Sequence, residues 1–202
     1  MAPPTRWATE PPENHSQWLI DRFRRLAAEG ADLGGEARFV DAVIVPGASV
    51  LDAGCGTGRV GALLHAAGHP VVGVDADALL IAAARSEHPS IEWIVGDLSE
   101  LNLREPDGAR RLFDSAVLAG NVMPFVAPDT EVSVLGGVAE HVRGDGPIIV
   151  GFDVDRGYSV SSFDAHAADA GLKIESRFAT WDLRPWARDS PYAVTILRRE
   201  SR

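Results

Sequence analysis

Apolar residues recur at Trp18, Leu19, Phe23, Leu26 and Ala27, a helical period that predicts one amphipathic helix over 15–28. Gly30, Gly34 and Gly35 interrupt it. A second helix is expected over 36–43, and Pro46-Gly47 forms a turn. Short apolar runs then alternate with helical patterns. Strands are expected over 49–53, 71–74, 91–95, 113–118 and 148–152, with helices over 59–67, 77–86 and 129–142. Nearly continuous apolar strands joined through helices predict an α/β fold, a doubly wound parallel sheet covered on both faces. The end of the chain reads differently. A helix over 163–170 stops at Gly171, and strands over 172–181 and 192–197 are separated only by a polar loop. So short a link favours an antiparallel pair.

The length of 202 residues suits one domain with a substantial core. The segment 1–13 is rich in proline and polar residues and lacks the regions of a signal peptide. It is expected to be a disordered tail before a single domain over 14–202, with N-terminal helices over 14–46. No apolar run approaches the length of a membrane span, so no membrane partner is expected. The net charge of −10 leaves no excess of Lys and Arg to displace counterions, which argues against nucleic acid. Arg22, Arg24 and Arg25 form a local basic cluster on the first helix. The single cysteine, Cys55, precludes an intramolecular disulfide and fits a reducing, cytoplasmic setting.

The chemistry concentrates where strands end. Asp52-Ala53-Gly54-Cys55-Gly56-Thr57-Gly58 follows the first strand and opens a helix. Such a glycine turn lets a ligand approach bare backbone at a helix N-terminus. Gly56, Gly58 and Gly61 also match the dinucleotide pattern, so an NAD-dependent oxidoreductase is a competing reading. Asp75 closes the second strand, placed to accept two hydrogen bonds from a ribose diol, whereas Asp77 reads as a helix cap. Asp97-Leu98 follows the third strand, and Gly120-Asn121 the fourth, on the carboxyl edge where open parallel sheets bind ligands.

Together, Val50 to Val60, Gly73 to Asp77, Val95 to Leu98 and Phe113 to Phe125 resemble the class I S-adenosylmethionine-dependent methyltransferases, over about 18–199. The resemblance implies a seven-stranded, mostly parallel Rossmann-like sheet with an antiparallel last strand and an N-terminal helical lid. It implies S-adenosylmethionine as cofactor. Gly54, Cys55 and Gly56 would lie along its methionine part and Asp75, with Ala76, at its ribose. Asp97 and Leu98 would hold the adenine, with Gly120 and Asn121 near the sulfonium. Asp52 would brace the glycine loop and reach the amino group. Arg22 is the candidate for the methionine carboxylate, since a guanidinium matches it bidentately, and Arg38 is its rival.

The motif that the family uses for exocyclic amines of bases is absent; Asn121-Val122-Met123-Pro124-Phe125 stands there. A small-molecule acceptor follows, with O-methylation of a sugar-like or aromatic hydroxyl as the leading reading. N-methylation of a small amine and a non-catalytic binding module are the alternatives. An alcohol needs somewhere to send its proton. His15, His166 and Asp182 are the candidates for that role. Trp18, Phe125, Tyr158, Trp181, Arg184 and Trp186 are expected to line the acceptor pocket, because indoles stack on flat or sugar-like faces. No metal is expected, since Asn121 stands where a catechol-type site needs an acid, and Gly68 ends the helix that would pair His65 with His69. Whether the chain is a monomer or a homodimer is not legible.

Overall fold

The computed structural model describes residues 3–10 and 12–199. Residues 1, 2, 11 and 200–202, which the expected tail and domain boundaries include, lie outside the described residues. The helices are α1 (Arg6–Thr9), α2 (His15–Ala28), α3 (Gly35–Val43), α4 (Arg59–Ala66), α5 (Ala78–Glu87), α6 (Val122–Phe125), α7 (Glu131–Glu140) and α8 (Val160–Asp169). The strands are β1 (Val50–Ala53), β2 (Val71–Asp75), β3 (Glu92–Val95), β4 (Ser115–Leu118), β5 (Ile148–Asp153), β6 (Leu172–Phe178) and β7 (Tyr192–Arg199). They form one seven-stranded sheet in the order β3-β2-β1-β4-β5-β7-β6. All neighbours are parallel except β7, which runs antiparallel to both β5 and β6. Strand order reverses between β2-β1 and β4, which opens a crevice at the carboxyl edge.

Alternate residues of each strand supply the two cores. Leu51, Val72, Ala116 and Val150 face α7 and α8, meeting Val134, Leu135, Val138 and Phe163. Val50, Val71, Val117 and Ile149 face α3 and α4, meeting Phe39, Val40 and Leu64. Burying such side chains contributes roughly 1.5–3 kcal/mol each. The helix starts are set locally: Asp77 accepts from the amides of Leu79 and Leu80, and Ser159 from that of Ser162.

The indole of Trp93 lies between β2 and the start of α4. A Cβ on Gly58 would stand 2.8 Å from its ring, one on Gly61 3.0 Å, and one on Gly73 would overlap it. These glycines admit a tryptophan between strand and helix.

The segment expected as a disordered tail is corrected for its described part. Thr5 caps α1, and Trp7 packs edge-on against Phe125 with ring centroids 5.6 Å apart. Proline and polar content concealed a segment whose order comes from tertiary contacts rather than propensity.

Candidate active site

The turn after β1 is held by backbone bonds. The amides of Gly54 and Cys55 donate to the Val74 carbonyl at 2.7 and 3.1 Å. Gly54 and Gly56 have φ of +79° and +54°, a region L-residues rarely enter. Where a side chain of Gly56 or Gly120 would stand there is open space, a cradle whose floor is backbone. Asp75 locks this turn to the next loop: Oδ2 accepts from Gly56 N at 2.8 Å and Oδ1 from Asp77 N at 2.9 Å. Each oxygen keeps a lone pair for a second donor. Burial pushes this carboxyl upward from its ordinary value.

Two connected compartments lie along the carboxyl edge. A narrow groove of about 110 Å³ brings together Gly54, Gly56, Asp75, Ala76, Asp97, Leu98, Gly120 and Asn121. Asp97 caps a short 3-10 turn (Leu98–Glu100) through Oδ1, which accepts from Ser99, leaving Oδ2 without a partner among the described residues. Thr5 and Trp7 also line the groove. A larger cavity of about 980 Å³ opens beside it, reached by Arg22, Asp52, Cys55, His15, Trp18, Phe125 and Trp181.

Asp52 is the electrostatic centre of this cavity. It is 1% exposed, and its Oδ2 accepts from Gly61 N in the first turn of α4 at 2.9 Å. Burial dominates and pushes its carboxyl up to about 7, only partly offset by the Gly61 amide and the nearby Arg59. A buried acid with one unengaged oxygen suits a cationic ligand group. Its Oδ2 already engages one amide of the first turn of α4, that of Gly61. Gly61, the third glycine of the dinucleotide pattern, is accounted for by the close approach of Asp52 Oδ2 and Trp93.

Arg22 lies 5.6 Å from the ring centroids of both Trp18 and Phe23 and has no acidic partner among the described residues. Its rival Arg38 is engaged with Asp32 at 2.8 and 2.6 Å on the surface, outside the cavity. Cys55 is buried, and burial together with the Asp52 and Asp75 carboxylates pushes its thiol well up. That is the opposite of an activated nucleophile.

Of the three proton-acceptor candidates, the cavity contains only His15. It sits between Trp7, at 4.8 Å, and Trp18, stacked at 5.2 Å. Its ring nitrogens have no partner among the described residues. His166 is corrected: its Nδ1 meets the Tyr158 hydroxyl at 2.9 Å on the opposite, α8 face of the sheet. Tyr158 is itself packed against Phe152 and Phe163, and so is not a pocket residue. Asp182 and Arg184 are also corrected. They pair with each other at the surface, with side chains 68% and 75% exposed. The loop that carries them folds back, Ala179 N donating to Arg184 O, with Leu183 at φ +66°. Trp186 consequently lies beneath Arg177 against the α8 core rather than in the pocket. Of the residues of this loop expected in the pocket, Trp181 reaches the cavity, beside Thr180. Its ring occupies the space where a side chain on Gly151 would stand, and its Nε1 donates to the Tyr192 hydroxyl at 3.3 Å.

The sequence reading missed Trp7, Arg59, Arg156 and Tyr192, all of which line the cavity. Tyr192 opens β7, and an antiparallel strand begins where its parallel neighbours end; that signal was available. Arg59 bridges Glu36 at 2.6 and 2.9 Å, a pairing between helices that no local pattern shows. Among the described residues, no group of three or more His, Cys, Asp or Glu side chains is arranged to hold a metal ion, and no helix is long and apolar enough to cross a membrane.

A family model described as a methyltransferase domain matches residues 50–146. A TehB-like SAM-dependent methyltransferase of known structure from Corynebacterium glutamicum is 39% identical, with a TM-score of 0.86 over 94% of this chain and 100% of that one. CalS10, an amino pentose methyltransferase from Micromonospora echinaspora, is 15% identical with a TM-score of 0.65, covering 88% of this chain and 97% of that one, a likeness of fold. A malonyl-[acyl-carrier protein] O-methyltransferase from Pectobacterium atrosepticum is 39% identical over 59 residues, 29% of this chain; the match spans 23% of that curated relative's length. Because the likeness to the Corynebacterium protein runs through its whole length, this chain belongs to the S-adenosylmethionine-dependent methyltransferases.

Proposed function

We propose that the enzyme methylates a hydroxyl of a small, flat or sugar-like molecule, with His15 receiving the acceptor's proton. The observation that carries this reading is the position of His15. It is held between two indoles in the large cavity, its ring nitrogens without a partner among the described residues. S-adenosylmethionine, when bound, supplies a methyl group on a sulfonium, an electrophile that needs no further activation. The chain's own residues bind, orient and exclude water. Asp75 accepts the ribose hydroxyls, Asp97 and Leu98 hold the adenine, and Asp52 and Arg22 take the amino and carboxylate groups. Gly54, Cys55 and Gly56 lie along the methionine part, and Gly120 and Asn121 border the reacting end. Trp18, Phe125 and Trp181 form the acceptor walls, and closure of these walls strengthens the electrostatics within.

An amine acceptor that enters unprotonated does not need His15 in the same way, so one variant separates the two readings. Labelled S-adenosylmethionine incubated with a small-molecule extract identifies the acceptor by mass spectrometry. On that acceptor, His15→Ala should lower kcat by about 10²-fold or more with unchanged affinity for S-adenosylhomocysteine. A methylated nitrogen in the product, or a normal kcat in His15→Ala, would overturn the proposal.

A further inference from the structure

We propose that Asp77 is the catch of a latch that fastens the N-terminal segment over the cofactor groove, with Trp7 as its positioning residue. The inference rests on the reading that this groove holds S-adenosylmethionine. It assigns Asp77 a role beyond capping α5.

Asp77 divides its oxygens between two tasks. Oδ1 accepts from the Leu79 and Leu80 amides at 2.8 and 3.2 Å, which is the helix cap. Oδ2 accepts from Trp7 Nε1 at 2.8 Å and from the Ser16 hydroxyl, two donors from separate turns of the N-terminal segment. The same segment is fastened on the other bank. Arg6 reaches the buried Glu131 at 3.2 Å, and its amide donates to Val126 O at 3.5 Å. Thr5 and Trp7 thus cross the groove as a strap, fixed to α7 on one side and to α5 on the other. Trp7 also borders the large cavity, so the closed strap completes the acceptor walls as well.

The catch is wired to the cofactor site. The backbone N–H of Asp77 donates to Asp75 Oδ1, the carboxylate assigned to the ribose. A ligand that orders Asp75 therefore orders the loop from which the catch projects. Trp7 lines both the groove and the cavity beside it, so opening of the Trp7 and Ser16 bonds would widen the way out for a cofactor held in the groove. Such gating makes release, and the order of binding, a property of this latch.

Asp77→Asn separates the two tasks. Asn retains an oxygen acceptor for the α5 amides and is an equally good helix cap, but its amide nitrogen has no acceptor capacity for Trp7 and Ser16. Trp7→Phe keeps a ring and removes the donor from the other side. The experiment measures S-adenosylhomocysteine affinity by calorimetry, its dissociation rate by stopped flow, and hydrogen exchange of residues 3–29. Both variants should still fold and bind it, with a midpoint lowered only by the lost hydrogen bonds. They should release it at least tenfold faster and lose the protection that binding confers on 3–29. Dissociation within twofold of wild type in both variants overturns the latch while leaving the cofactor reading intact. Faster exchange with unchanged dissociation overturns it as well, since the strap then retains nothing. Failure of the wild type to bind S-adenosylhomocysteine overturns the cofactor reading and the latch with it.

Discussion

Asp52 sets a measurable cost on the cofactor-free protein. Its carboxyl is raised from the ordinary 3.8 to about 7 by burial. The folded state therefore holds a proton that the unfolded chain releases between these values. Stability falls as pH rises through that window and levels off above it. Integrating the linkage from pH 5 to pH 8 gives a loss of about 2–3 kcal/mol attributable to this residue. Asp52→Asn removes the titration yet keeps an oxygen for the Gly61 amide. Urea unfolding of both proteins at the two pH values is the assay. The variant should gain on the wild type by about 2–3 kcal/mol between pH 5 and pH 8. A cationic amino group arriving beside Asp52 should also expel its proton. Calorimetry of S-adenosylhomocysteine binding in buffers of different ionisation enthalpy should show about half a proton released near pH 7 by the wild type and little by Asp52→Asn. Parallel stability profiles for the two proteins would refute the buried-acid reasoning.

Three further outcomes are expected. Gly73→Ala drives a methyl group into the Trp93 ring and should cost about 1–3 kcal/mol or more, read as a lowered Tm. Arg22→Ala should weaken S-adenosylhomocysteine about tenfold in calorimetry, by loss of a charge-assisted pair, whereas Arg38→Ala should leave affinity unchanged. Tyr158→Phe breaks the bond to His166 and should lower stability by about 1 kcal/mol without altering kcat, because neither residue borders the cavity.

Much of the fold was legible because each strand is an apolar run and each connection carries a helical period. Asp75, Asp97 and Asn121 were legible for the same reason: they stand where runs end, on the edge that binds ligands. The glycines were legible as a turn, but their partner was not. Trp93 is distant in sequence from Gly58, and only packing shows that one indole occupies the space beside Gly58, Gly61 and Gly73. The C-terminal loop misled because Trp181, Arg184 and Trp186 are adjacent in sequence while the turn at Leu183 sends them to different faces. Trp7 gave no local signal, since both its hydrogen-bond partner and its ring partners come from other elements.

The indole beneath the glycine turn also constrains descent. Gly58, Gly61, Gly73 and Trp93 share one volume, so none of the three glycines is free to gain a side chain while the indole stays. A lineage that acquires a side chain at 73 must first shed the indole at 93, and one that keeps the indole inherits the glycines with it. The glycines along this edge therefore fall into two sets. Gly56 and Gly120 face open space, where a ligand is proposed to lie, and Gly58, Gly61 and Gly73 are held by the tryptophan below. A relative that abandoned the cofactor would be expected to lose the first set early while holding the second for as long as it still folds around the same ring.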